Sequence, residues 1–137
     1  MTSTNLTFAV ETTVSVDEFR SLLVASGLGT RRPVDDAVRL EAMLRNANMV
    51  VTARIDGLLV GIARSVTDFA FCCYLSDLAV SKTAQGKGIG ARLIEETRKH
   101  LGPTVSLILN SVPESVGFYE GINMPALPNC FWFRRER

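Results

Sequence analysis

The sequence is poor in the residues that build metal sites and charge-relay triads. It has one histidine, His100, and three cysteines, Cys72, Cys73 and Cys130. No Cys-x-x-Cys pair occurs, so no zinc site is expected, and a single histidine gives little basis for a histidine-based triad. An odd cysteine count with two adjacent members is not a disulfide framework. All three are expected to pack in or near the core as small apolar side chains. No apolar run reaches the roughly 18 residues that a membrane-spanning helix needs. The start, MTSTNLTF, lacks the basic region and apolar core of a secretory signal, so the expected location is the cytoplasm. Excess charge is also missing: 15 basic against 14 acidic residues leave a net charge of +1. That balance gives no reason to expect a nucleic acid or a membrane surface as partner.

What is present suits one domain over residues 1–137, with 47% hydrophobic residues to fill a core. Residues 7–13 (TFAVETT) are rich in β-formers and read as a first strand. Ser15 and Glu18 form a capping box ahead of a helix whose apolar face is Val16, Phe19, Leu22 and Leu23, ending near Gly27. Residues 28–32 read as a loop. Pro33 suits a first helical position, with Asp35 and Asp36 in the first turn and Ala37, Leu40, Leu44 and Ala47 as the stripe. Arg31, Arg32, Arg39 and Arg45 gather around this helix. They form either a solvated basic face or a surface for an anionic part of a substrate.

Residues 49–55 alternate, and Asp56-Gly57 signals a hairpin to a returning strand over 58–66. A turn at Thr67-Asp68 leads to a third antiparallel strand over 70–80. Then comes the most informative stretch, residues 75–101, LSDLAVSKTAQGKGIGARLIEETRKHL. A strand runs into a glycine-rich turn, and the turn opens into a helix with Ile89, Leu93, Ile94, Thr97 and Leu101 at helical spacing. Gly102-Pro103 ends that helix, and Arg98, Lys99 and His100 complement its dipole. Residues 105–110 (VSLILN) form a short apolar strand, expected to run parallel to the earlier one by a crossover. Pro113 and Glu114 open a last helix with Val116, Phe118, Tyr119 and Ile122 on its apolar side. Asn123 sits where a left-handed residue often ends a helix. Residues 130–134 (CFWFR) read as a final strand. The expected class is therefore α+β: a mixed, mostly antiparallel sheet with one parallel crossover, in the order β-α-α-β-β-β-α-β-α-β.

The glycine turn is an anion cradle. Unpaired N–H groups and the positive dipole end of the helix favour a phosphate, and glycine lets the backbone come close to it. Lys87 adds a point charge. A Walker loop is excluded, because Gly86-Lys87 is followed by Gly88 and no glycine lies five positions before Gly86. The dinucleotide fingerprint tolerates Gly86-x-Gly88-x-x-Ala91, but that fingerprint opens a βαβ unit after a first strand, not in the second half of a small chain.

A third pattern, Gln/Arg-x-x-Gly-x-Gly/Ala, is met by Gln85, Gly88 and Gly90. With the strand before it and Gly117-Phe118-Tyr119-Glu120 after it, the chain resembles the GNAT superfamily of acyl-CoA-dependent N-acyltransferases. The resemblance is strong over residues 73–124 and architectural before them. It implies acetyl-CoA as cosubstrate, no metal, and a primary amine acceptor attacking the thioester directly in a ternary complex. It also implies that Leu78, Ala79 and Val80 pair with the pantetheine arm through their backbone. Gln85, Gly86, Lys87, Gly88, Ile89, Gly90 and Ala91 would hold the pyrophosphate through main-chain N–H groups. Tyr119 matches the family tyrosine that protonates or hydrogen-bonds the leaving thiolate; without the rest of the pattern it reads as an ordinary aromatic of a helix–sheet core. Asp77 is the best-placed carboxylate, either a general base or ammonium anchor for the acceptor, or a structural group hydrogen-bonded to a helix end. Strand alternation puts Leu75, Asp77 and Ala79 on one face and Ser76, Leu78 and Val80 on the other.

The chain departs from the family in places. The Asn-x-x-Ala positions are Val112 and Ser115, with Asn110 as a substitute CoA contact. The usual Leu-Gly-Phe is Ile122-Asn123-Met124, where asparagine tolerates the left-handed conformation. Family members often form homodimers through the last hairpin, and Phe131-Trp132-Phe133 would suit such a contact or the core. A non-catalytic acyl-CoA sensor on the same scaffold is the alternative function.

Overall fold

Local chemistry starts most elements of the chain, which the computed structural model describes over residues 5–137. β1 (Leu6–Val10) is shorter than expected. Glu11 makes one more ladder bond, its N–H to the Val50 carbonyl at 3.0 Å, and its carboxylate then takes Arg54 bidentately at 2.9 and 3.0 Å. Arg54 also reaches Glu18 at 2.6 Å. One guanidinium thus fastens the end of β1 to the start of α1 (Val16–Ser26). The Ser15–Glu18 capping box is formed, and α1 ends on left-handed Gly27, at φ 88°.

α2 (Ala37–Asn46) starts later than expected. Pro33 lies before the helix, and Asp36 supplies the cap instead, accepting from the Arg39 N–H at 3.0 Å. An aspartate cap satisfies an orphan N–H that a proline start would leave to solvent. β2 (Met49–Ile55), β3 (Leu58–Thr67) and β4 (Cys72–Val80) form the expected meander. Its first turn places Asp56 and Gly57 at φ 50° and 86°, both left-handed, as a two-residue hairpin requires. In the second turn, Asp68 Oδ1 accepts from three successive backbone N–H groups, of Ala70, Phe71 and Cys72. Those bonds depress its pKa to about 2.

α3 (Ile89–Leu101) crosses over to β5 (Ser106–Ile108), which pairs parallel with β4, and α4 (Val116–Gly121) follows. The sheet order is β1-β2-β3-β4-β5, with the other pairings antiparallel. α4 closes on Asn123 at φ 61°. The Asn123 N–H reaches the Glu120 carbonyl and the Met124 N–H the Tyr119 carbonyl, the double bond of a Schellman end.

The strand expected over 130–134 does not form; no helix or strand follows α4. β-forming side chains make a strand only against a ladder partner and a face to pack on, and the sheet ends at β5. The cysteines also depart from expectation. Cys73 is buried, but Cys72 and Cys130 are exposed. No helix among the described residues is long and apolar enough to cross a membrane.

Two cores lie on opposite faces of the sheet. Phe19, Leu22, Leu23 and Leu40 from α1 and α2 bury against Val50, Leu59, Ile62 and Ala79. Ile89, Leu93, Ile94 and Leu101 from α3 bury against Val51, Ala53, Ala63, Cys73 and Leu75. α3 sits close because Gly61 has no side chain. A Cβ there would lie 3.0 Å from Leu93, 3.1 Å from Ile89 and 3.3 Å from Ala53. Three crowded sides leave nowhere for a larger residue to go, so Gly61→Val is expected to destabilise the fold by about 1–3 kcal/mol. Urea unfolding checks this; an unchanged midpoint would refute the close-packing account.

Candidate active site

β4 does not keep strict alternation. Opposite β3, Arg64 pairs with Asp77 and Ser65 with Leu75, leaving Ser76 as the extra residue of a β-bulge. The bulge reverses the faces beyond it. Leu75 packs on the α3 side, and so do Leu78 and Val80, while Ala79 packs on the α1–α2 side. The expectation that Leu75, Asp77 and Ala79 share a face is therefore corrected, because one extra residue shifts a period-two pattern by one.

Charge holds the bulge. Asp77 is fully buried and ion-paired to Arg32 through one oxygen and to Arg64 through the other. Arg32 also donates to the Ser76 carbonyl at 2.8 Å and to the Arg31 carbonyl at 2.8 Å. Arg64 donates to the Ser76 hydroxyl at 3.0 Å and to the Met43 carbonyl at 3.1 Å. Both carboxylate oxygens and both guanidiniums are thus engaged. The cluster joins β3, β4, α2 and the turn after α1. The sequence points to Asp77 and, separately, to Arg32 within a basic group, but not to their pairing or to Arg64. Adjacent arginines in the loop at 31–32 were the available signal.

β4 and β5 then part. Their parallel pairing ends at Tyr74 with Ile108, so β4 beyond Tyr74 has no strand on that side. The Ser81 N–H bonds the Val60 carbonyl at 2.8 Å. In an antiparallel ladder every second residue faces the same neighbour, so Ala79 faces β3, while Leu78 and Val80 turn their backbone groups to the open edge. The backbone contact expected through Ala79 is corrected accordingly. The Gln85 side chain already donates to the Val80 carbonyl at 2.9 Å, which fixes the turn to the strand.

A cleft of about 420 Å³ lies along this edge, lined by Leu78, Ala79, Val80 and Gln85 among others. Its near wall includes Leu28, Thr30 and Arg31, and its far wall Val112, Glu114 and Ser115. Val112 and Ser115 hold the positions of the family's Asn and Ala. Asn110 is exposed and Tyr119 partly buried, and neither lines the cleft.

At the end of the strand, Gly86 and Gly88 sit at φ 80° and 78°. Gly88 is the N-cap of α3 and no side chain caps it. The first-turn N–H groups of Ile89, Gly90 and Ala91 are those a helix start leaves without an intrahelical partner. Lys87 is exposed beside them. An anionic group suits this end by both hydrogen bonding and dipole. Gly90 serves a different end: a Cβ there would lie 3.1 Å from the Phe118 ring, so its absence lets α4 rest on the first turn of α3.

Tyr119 stands on α4 in edge-to-face contact with Phe118, ring centres 5.0 Å apart. It packs against the α3-side core. Burial raises the pKa of its phenol, and the nearby Arg32 charge opposes that by less. The bulge clamp and the tyrosine therefore share one charged residue. A phenol whose burial keeps it protonated has a proton to donate, and a glycine turn opening a helix has N–H groups that suit a phosphate.

A model of the acetyltransferase (GNAT) domain matches residues 29–123. The chloroplastic GCN5-related N-acetyltransferase 2 of Arabidopsis thaliana is 30% identical over 132 aligned residues, covering 75% of this chain and 49% of that protein. The chain thus spans about half the length of that curated relative. Among solved structures, a GNAT family acetyltransferase of Streptococcus pneumoniae superposes with a TM-score of 0.73 at 23% identity, covering 96% of this chain and all of that one. An aminoglycoside N-acetyltransferase in complex with CoA superposes at 0.72 with 14% identity, covering 99% of this chain and 98% of that one. These likenesses carry the fold, and the family match covers most of the chain. The chain belongs to the GNAT family of acetyltransferases.

Proposed function

We propose that the protein transfers an acetyl group from acetyl-CoA to a primary amine within a ternary complex. The observation that carries this reading is the β4 edge left open beyond Tyr74, running through the cleft into the Gly86–Gly88 turn. The cleft fits a thin amide-bearing arm. Leu78 and Val80 would bond its amides as an added strand does, while the glycine turn and the first turn of α3 take the pyrophosphate. In this reading Gln85, Lys87 and Ala91 belong to the cradle, and Asn110, exposed in the segment after β5, is the substitute CoA contact.

The amine nitrogen attacks the thioester carbonyl carbon; the N–C bond forms and the C–S bond breaks. The ammonium first loses one proton to water; Tyr119 then gives its proton to the departing thiolate and is reprotonated, by way of water, by the second proton that the nitrogen loses as the amide forms. Holding amine and thioester together supplies much of the rate through orientation. Of the two roles open to Asp77, we propose the structural one. With both oxygens on guanidiniums and no exposed surface, it turns no lone pair toward an amine.

The exposed aromatics of the tail support a homodimer. Phe131, Trp132 and Phe133 are 91%, 63% and 106% exposed, a patch that soluble monomers rarely present. Val66, Tyr74 and Ile108 stand opposite one another in register across β3, β4 and β5, and all three are exposed. We propose that this row receives the tail of a second copy.

Calorimetric titration with acetyl-CoA, with ATP and NAD as controls, tests the reading directly: acetyl-CoA alone should bind. Tyr119→Phe should keep that affinity and lose about 10²-fold in kcat for free-thiol release. Because burial raises the phenol's pKa above its ordinary value of 10, the midpoint of any alkaline loss of activity due to Tyr119 should lie above pH 10. Turnover unchanged in Tyr119→Phe would remove the tyrosine from the mechanism.

Asp77→Asn leaves two guanidiniums without their shared counter-charge. It should cost about 3–5 kcal/mol of stability in urea unfolding. A stable Asp77→Asn protein that has lost kcat would restore the base role. Light scattering after gel filtration should give twice the mass of one chain, and Trp132→Ser should shift it to a monomer; a wild-type monomer at about 100 µM would rule the dimer out.

A further inference from the structure

The two walls of the cleft are joined by one ion pair. Arg31, in the turn Leu28–Arg31 after α1, donates from Nη2 to Glu114 Oε1 at 2.8 Å, and Glu114 lies in the turn Pro113–Ser115 before α4. The residues are 83 positions apart, and both line the cleft. The pair stands on the solvent side, with side chains 40% and 68% exposed. The strand edge behind it is buried at Ala79 and half-buried at Leu78 and Val80. A ligand lying along that edge, between the walls, therefore has the pair across it.

The backbone is held on both sides. Arg32 is drawn inward to Asp77 and donates from Nη1 to the Arg31 carbonyl at 2.8 Å. Of two adjacent arginines, one ties the near wall to β4 and the other reaches across the cleft. On the far wall Pro113 fixes the start of the turn, and the Ser115 N–H closes it on the Val112 carbonyl at 3.0 Å. What can open is the contact between two long side chains. Bonds to its own backbone N–H, and then the Arg31 guanidinium, hold the Glu114 carboxyl below its ordinary value, so the pair is charged at neutral pH. An exposed pair adds little to the stability of a fold, and stability does not account for its place across a cleft mouth.

We propose that Arg31 and Glu114 form a strap over the pantetheine arm, positioning residues that close behind the cosubstrate and keep its arm on the β4 edge. This rests on the acetyltransferase reading and deepens it, by assigning what sets how long acyl-CoA stays. The glycine turn and the strap act on different parts of one ligand. The turn takes the charged pyrophosphate end, and the strap retains the uncharged arm, with which neither side chain needs a bond of its own. The arm leaves sideways only when the pair is broken, so the lifetime of the complex follows the strength of the pair.

The test is stopped-flow release of a fluorescent etheno-adenine analogue of acetyl-CoA, chased from the full chain by excess acetyl-CoA. Arg31→Met and Glu114→Gln should each speed release about three- to fivefold, the range open to an exposed pair. The exchanged pair, Arg31→Glu with Glu114→Arg, should bring release back to within about twofold of the native rate. A separate contact of either side chain with the arm would not survive that exchange. Raising NaCl from about 0.05 M to about 0.5 M should narrow the gap between the native chain and Glu114→Gln, because salt screens exposed charges. The 3′-phosphorylated ADP moiety of CoA lacks the arm, and calorimetry should find its affinity unchanged in every variant; thermal unfolding should be unchanged as well. Native release rates in both single variants, or an exchanged pair no slower than the single variants, would overturn the proposal. Failure of the native chain to bind acetyl-CoA would overturn the underlying acetyltransferase reading instead, and calorimetry separates the two results.

Discussion

The placement of the site depends on a buried carboxylate clamped between two arginines. Asp77 cannot be hydrated where it sits, so it is tolerable only with both guanidiniums in place. Arg64 comes from the neighbouring strand and Arg32 from the turn after α1. Both also bond Ser76, the residue that bulges from β4. The clamp therefore fixes the kink in the strand and ties the near wall of the cleft to it. A charge cluster of this kind contributes little net stability. What it supplies here is geometry: one strand direction before the bulge, another after it, and a wall held at a set distance from the edge.

The open edge follows from that geometry. β4 pairs with β5 for only three residues, and past Tyr74 the two strands have parted. Unpaired strand backbone is normally a liability. Here it runs into a helix start whose N–H groups are equally short of partners, and the two unsatisfied features are continuous. Such continuity suits one extended ligand with amides along its length and charge at its end. The packing behind it is tight. Gly61 brings α3 against the sheet, and Gly90 brings Phe118, with Tyr119 beside it, against α3. The tyrosine's position is thus set by the absence of two side chains.

Short-range signals made much of this legible in the sequence. The Ser15–Glu18 box, Gly27, the Asp56-Gly57 hairpin, the Gln85–Gly90 turn and Asn123 at the end of α4 each depend on residues a few positions apart, and each formed as read. Departures arose where a distant partner decides. The one local exception is α2, where Asp36, capping the Arg39 N–H three residues on, displaced Pro33 as the start. The aromatic strand expected over 130–134 had no ladder to join. The bulge at Ser76 broke an alternation that nothing in the local sequence contradicts.

The sequence by itself determined the order of elements as far as α4, the meander and the glycine turn, because those rest on backbone preferences and apolar periods within one element. It also determined which tyrosine to single out, through the run Gly117-Phe118-Tyr119-Glu120. Only the tertiary structure decided what Asp77 pairs with, which of Leu78, Ala79 and Val80 face the open edge, and that Arg31 and Glu114 meet across the cleft. Those are questions of pairing between charges, and between strands, far apart along the chain. A carboxylate reads the same in sequence whether it faces a substrate or two arginines, and only folding brings its partners to it.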